Sequence, residues 1–124
     1  VVHGGFEPGT PIEKQKPSKI VRMRRLDAAG KFVPLPKDGV WAADTCFWTQ
    51  RWPGPENVIY GHEVHGFETP RVDEPTPGVR CWGIDTGACF GGRLTALILP
   101  GYEVVQVQAK RTYASSKLGF RDEE

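Results

Sequence analysis

Three places in this 124-residue chain combine a short apolar run, glycine and a polar side chain. They are Val2-His3-Gly4-Gly5, Ile59-Tyr60-Gly61-His62 and Gly83-Ile84-Asp85-Thr86-Gly87. Short apolar runs read as strands, and strand ends place side chains in a cleft. Glycine lets backbone or a ligated group come close. His3 and His62 are two of only three histidines, and neutral imidazole is a common ligand of zinc, iron and manganese. One histidine beside glycine is unremarkable; two at matching strand ends point to a metal site. Asp85 has two readings. Asp before Thr-Gly is a common Asx turn, with the carboxylate accepting backbone N–H groups. The same carboxylate can instead face the metal cleft.

The elements that must position these residues are short. Val1 and Val2 look like the end of a buried strand. Asn57 to Tyr60 and Val79 to Ile84 read as strands, and Leu94 to Leu99 with Glu103 to Ala109 reads as a hairpin. In the last strand Val105 and Val107 alternate with Gln106 and Gln108, the period of a half-buried strand. Val40 to Arg51 is the best helix candidate, stopped by Pro53. Ile20 to Leu26 favours strand, and Asp27 to Lys31 is a turn. Residues 7–19 and 66–78, rich in proline and charge, read as loops. Residues 114–124 read as a frayed tail.

Composition sets the frame. The length fits one domain spanning 1–124. The 15 glycines and 11 prolines exclude a fold dominated by long helices. The 39% hydrophobic content excludes a disordered chain. Sixteen basic against 15 acidic residues leave a net charge of +1, which gives no global case for nucleic-acid or membrane binding. No apolar run approaches the ~20 residues of a membrane span. Cys46, Cys81 and Cys89 are odd in number and lack a CxxC pair. They read as reduced, buried thiols of a cytoplasmic protein rather than a disulfide framework or a zinc site. The four tryptophans read as core packing before base stacking.

The run "VVHGG" with a proline three residues on, then "VIYGH", then "GIDTGACFGGRLTALILP", resembles the C-terminal half of a calcineurin-like metallophosphoesterase. Within that superfamily it looks most like the branch of bis(5′-nucleosyl)-tetraphosphatase-like and Ser/Thr phosphoprotein phosphatase-like enzymes. The segments "MRRLDAAGKFVPL" and "W-GPENVIYGH" look similar too, so the resemblance runs from Val1 to about Tyr113. It implies an α+β class, as the β-rich C-terminal half of a four-layer αββα sandwich. It makes His3 and His62 ligands of the same ion in a pair of divalent metals (manganese, iron or zinc), and sets Asp85 near metal-bound water or substrate. Gly87, Gly91 and Gly92 would let the chain pass beneath the site. The implied activity is metal-assisted hydrolysis of a phosphorylated substrate: a phosphoprotein, a nucleotide or a dinucleoside polyphosphate.

The departures carry equal weight. The family's N-terminal motifs DxH, GDxxD and GNH(D/E) are absent, and with them the bridging carboxylate. The 124-residue chain alone is therefore expected to be inactive, and to need a missing N-terminal half or a partner chain. The alternative is a non-catalytic binding or structural module, a degenerate phosphoesterase half without metals. His65 lies three residues past His62, so it does not match the second histidine of a GHxH motif and reads as a loop histidine at the pocket mouth. Phosphate chemistry wants an arginine fork. Among Arg22, Arg24, Arg25, Arg51, Arg71 and Arg93, the substrate-binding expectation falls on Arg71 and Arg51, which flank the His62 strand.

Overall fold

A computed structural model describes residues 1–115. The described residues form a β-rich α+β fold of eight short strands: β1 (Arg25–Leu26), β2 (Phe32–Val33), β3 (Cys46–Phe47), β4 (Val58–Tyr60), β5 (Arg71–Thr76), β6 (Val79–Gly83), β7 (Arg93–Ile98) and β8 (Glu103–Gln108). One helical turn, α1 (Pro17–Ile20), and 3₁₀ turns at Ile12–Lys14, Trp48–Arg51 and Ala88–Phe90 complete the described elements. Strands β2-β1-β3 form one antiparallel sheet. A second has the order β4-β6-β5, with β4 and β6 parallel and β5 and β6 antiparallel. Strands β7 and β8 form the expected hairpin.

The structure corrects five sequence expectations. Residues 40–51 do not form the expected helix, and only Trp48–Arg51 take a 3₁₀ turn. Thr45 turns the chain there, donating from both its backbone N–H and its hydroxyl to the Ala42 carbonyl, and Cys46–Phe47 then pair with β1. Sheet pairing overrides a weak helical period, because Val40 to Asp44 have little core to bury against. Residues 66–78 contain a strand, β5, despite Pro75. Its register shifts between Asp73 and Thr76, and an irregularity on a sheet edge is where proline is tolerated. Of Ile20 to Leu26, only Arg25–Leu26 are strand. Finally, Val105 and Val107 are exposed (43% and 65%). Gln106 turns the other way, onto Thr95 and the Glu68 carbonyl, because these polar groups need an amide partner. Cys81 is buried as expected, but Cys46 is half-buried and Cys89 exposed, all three thiols being free. Of the tail, Ala114 is tied to the Cys89 carbonyl; residues 116–124 lie outside the described residues.

The core sits between the first two sheets. Met23, Leu26, Trp48, Val58, Tyr60 and Cys81 are almost wholly buried. Phe6, Trp52 and Tyr60 pack around the Trp48 indole, consistent with tryptophan as core. Gly5 is required here, since a Cβ would lie 2.4 Å from the Trp48 ring. The segment after His3 is thereby pressed against the core.

Glu7 anchors the same segment. It is 6% exposed, and its carboxylate accepts the Phe32 N–H at 3.0 Å and pairs with Lys19 at 3.1 Å. Burial pushes its pKa up, but the Phe32 N–H, Lys19 and Lys31 outweigh it and leave the pKa lowered. A lowered carboxylate pKa stabilises the fold above the ordinary glutamate range, and that contribution fades as pH falls through the folded value. Glu7→Ala is expected to cost about 1–3 kcal/mol at pH 7, the penalty for orphaning a buried donor. In urea denaturation, the gap between wild type and variant should narrow as the pH drops below about 4.3. A gap that stays constant from pH 7 to pH 3 would show that the carboxylate charge plays no part.

Candidate metal centre

Three neighbouring segments run parallel and finish together. The Val2 N–H donates to the Ile59 carbonyl at 3.0 Å, and the Gly61 N–H donates to the His3 carbonyl at 2.8 Å. On the other side of β4, Tyr60 is in register with Gly83 of β6, and the Ile84 N–H donates to the Tyr60 carbonyl. His3, His62 and Asp85 therefore follow the C-terminal ends of adjacent parallel segments, where open sheets place their ligands. The two imidazoles meet with ring centroids 4.9 Å apart and planes tilted by 51°.

Asp85 forms the turn of its first reading. Its Oδ1 accepts the Gly87 N–H at 3.1 Å, closing the Asx turn. Its Oδ2 lies 4.0 Å from where a Cβ on Gly61 would stand, and the His3 carbonyl lies 3.6 Å from that point on another side. Gly61 is thus a bare stretch of backbone between the His3 and Asp85 segments.

His62 occupies an unusual backbone position. Its φ is +70°, and the Glu63 N–H donates to the Gly61 carbonyl at 2.8 Å. A bond from residue i+2 back to residue i across a positive φ is the rarer, strained form of γ-turn. Such conformations cost on the order of 1–3 kcal/mol and persist only where the surroundings enforce them. Arg24 supplies part of that enforcement. Its Nη1 donates to the His62 carbonyl at 3.4 Å and makes a close ion pair with Glu63. None of the sequence patterns singled out Arg24 among the arginines, because nothing local links it to a turn 38 residues away.

Electrostatics separates the histidines. Burial, then the positive charges of Arg24 and His3, push the His62 pKa down to about 4, with Asp85 opposing. Burial and Arg71 likewise push His65 down to about 4. Both are neutral near pH 7, but they are used differently. Arginine can only donate, so the 3.2 Å contact from Arg71 Nη1 makes His65 Nδ1 an acceptor. The proton then sits on Nε2, which reaches the Tyr60 hydroxyl at 3.1 Å. Both nitrogens of His65 are occupied, and its ring stands edge-on to Phe47, so it is a packed strut rather than a histidine at a pocket mouth. Among the described residues, the His62 ring nitrogens have no hydrogen-bond partner.

The two expected substrate arginines are bonded to other residues. Arg71 bonds His65 and Asp73, and its guanidinium sits over the Phe47 ring. Arg51 donates to the Asp27 and Ala28 carbonyls and packs on Gly30. Neither bonds His3, His62 or Asp85. Gly92, by contrast, is required where it stands: a Cβ there would lie 2.1 Å from the Thr86 carbonyl.

Among the described residues, no group of three or more His, Cys, Asp or Glu side chains is placed to hold a metal ion. The donor set is two imidazoles, one held neutral by its surroundings. Such a pair fits one face of a transition-metal site and leaves the other ligands to come from elsewhere.

No protein-family model matches the sequence. The chain is 40% identical over 70 residues to bis(5′-nucleosyl)-tetraphosphatase PrpE of Bacillus thuringiensis (strain Al Hakam), a match covering 56% of this chain and 26% of that protein. A similarly named protein of Anoxybacillus flavithermus (strain DSM 21510 / WK1) is 39% identical over the same share. A crystal structure described as a candidate diadenosine tetraphosphatase superposes with a TM-score of 0.68 at 26% identity, covering 88% of this chain and 46% of that one. The chain resembles the tetraphosphatase-like branch of the metallophosphoesterases. The match spans about a quarter of the length of these curated relatives. No helix among the described residues is long and apolar enough to cross a membrane.

The arrangement makes a spectroscopic prediction. In a long-range 1H–15N titration, His62 and His65 should stay neutral through pH 5 and titrate near 4, with His65 in the Nε2–H form. A histidine pKa lowered by folding costs stability on acidification, so the fold should weaken as pH falls from about 6.5 towards 4. Two midpoints near 6.5 would refute the burial of these rings.

Proposed function

We propose that this chain forms one face of the active site of a metal-dependent phosphoesterase, a hydrolase of phosphate esters or anhydrides. The observation that carries the reading is the convergence of a neutral His62, His3 and Asp85 at three adjacent strand ends. Relatives named tetraphosphatases favour a dinucleoside polyphosphate over a phosphoprotein or a simple nucleotide as substrate. His3 and His62 would together hold one of two divalent ions, manganese, iron or zinc. Such ions, when bound, supply Lewis acidity and lower the pKa of water to near neutrality. Asp85 keeps Oδ1 in the turn and uses Oδ2 to orient a water or a ligand imidazole.

The remaining ligands and the bridging carboxylate would come from polypeptide other than these 124 residues. The exposed apolar side of the hairpin, with Leu94, Ile98, Val105 and Val107, offers a face against which that polypeptide can pack. Arg71 and Arg51 remain the proposed substrate contacts, through guanidinium N–H groups their present bonds do not use. The free thiols suit a reducing, cytoplasmic setting. The absence of a three-donor cluster among the described residues favours one competing reading, a binding or structural module without metals.

The test is turnover of diadenosine tetraphosphate with manganese by the protein extended to include any upstream sequence. His62→Ala should abolish it while the fold persists. Asp85→Asn should reduce it about ten-fold or more, the usual loss for a residue that supports a metal ligand, with little change in Tm. The 124 residues alone should be inactive. Robust metal-dependent turnover by those residues, or an early-melting Asp85→Asn variant of full specific activity, would overturn the respective assignments.

A further inference from the structure

We infer that Arg24, with Glu63, is a positioning residue that holds the strained turn at His62 and so aims its imidazole at His3. The inference rests on the reading of His62 as a metal ligand only for its consequence, not for its geometry. The turn uses its own backbone for one bond, from the Glu63 N–H to the Gly61 carbonyl. The Gly61 N–H is bonded to the His3 carbonyl, so the incoming limb is fixed. Among the described residues, no backbone N–H bonds the apex carbonyl, that of His62. Arg24 Nη1 fills that role, and the same nitrogen pairs with the carboxylate of Glu63, the next residue. One guanidinium nitrogen thus ties the apex and the outgoing limb together.

Arg24 is well placed for this task because its own backbone is rigid. Met23 before it is fully buried. Arg25 and Leu26 after it form β1, paired on both sides. The Arg24 carbonyl accepts the Trp48 N–H at 3.0 Å, linking it to the most buried tryptophan. Its side chain is only 13% exposed and that of Glu63 26%, so the pair is shielded from the solvent that makes surface ion pairs weak. A residue with φ of +70° and no glycine relaxes to negative φ unless held. On relaxation the direction of its Cβ changes, and the His62 ring leaves the His3 ring.

The test uses the 124-residue chain at pH 7, with Zn2+ as the probe. In the metal-free protein, Arg24→Gln should lose the ring-to-ring NOEs between His3 and His62. Its Zn2+ affinity by calorimetry should fall about ten-fold or more, as for other residues that orient metal ligands, and the Co2+ absorption spectrum should change. Arg24→Lys, which keeps a charged donor, should recover most of both signals. Glu63→Gln, at a more exposed position, should reproduce the loss in milder form if Arg24→Gln folds poorly. Retention of the NOEs and of wild-type Zn2+ affinity in Arg24→Gln, or in a Glu63→Gln protein when Arg24→Gln does not fold, would overturn the inference. If wild type binds no Zn2+ while a variant still loses the NOEs, the clamp stands and the metal-site reading falls.

Discussion

The parallel pairing of residues 2–3, β4 and β6 is the constraint on which the rest of the molecule depends. Parallel segments finish at the same end, so three motifs far apart in sequence deliver their polar residues to one edge. The register is held from beneath. Val58, Tyr60 and Cys81 are buried in the core shared with Trp48, and a slip of one residue would send these side chains to the opposite face. Gly5 against the Trp48 indole and Glu7 against Phe32 and Lys19 pin the first segment just beyond His3. Precision at the histidine pair therefore starts in the core, from which the Arg24–Glu63 pair reaches the turn at His62.

At that edge, burial and the Arg24 charge act in the same direction on His62, against Asp85. The surroundings that push His62 down also keep its imidazole in the form that can bind a metal. Arg24 contributes to that field and ties the backbone of the same residue. His65 is a useful contrast. It is neutral for similar reasons, yet both of its nitrogens are engaged, by Arg71 and Tyr60. Burial also pushes the Tyr60 phenol up, so that it remains a protonated partner. A depressed histidine pKa alone does not mark a ligand; free ring nitrogens beside a second imidazole do so better.

The hairpin divides its two faces in an unexpected way. Gln106 and Gln108 turn onto Thr95 and the carbonyls of Glu68, Gly91 and Gly92, while Leu94 and Val107, opposite each other in register, face outward. The glutamines fasten the hairpin to the turn that carries Asp85, through Gly92 and the Thr86–Thr95 hydroxyl contact. The apolar residues of that outer face, Leu94 and Val107 at 65% exposure each, are left bare on the side away from Asp85.

The sequence by itself determined the β-rich class, the strands at β4, β6, β7 and β8, and the pairing of His3 with His62. Each of these is written locally: apolar runs punctuated by glycine and proline, and a histidine within two residues of the run's end. Tertiary structure decided the rest. A helical period over residues 40–51 gave way to pairing with β1, because a nearby sheet edge satisfies more backbone than an isolated turn of helix would. Pro75 proved compatible with a strand because its strand lies on an edge with a register shift. The alternation of valine and glutamine was legible in β8, but which set faces inward depended on carbonyls many residues away. For the same reason Arg24 could not be told from the other arginines, since its bonds to His62 and Glu63 exist only once β1 and the end of β4 are brought together.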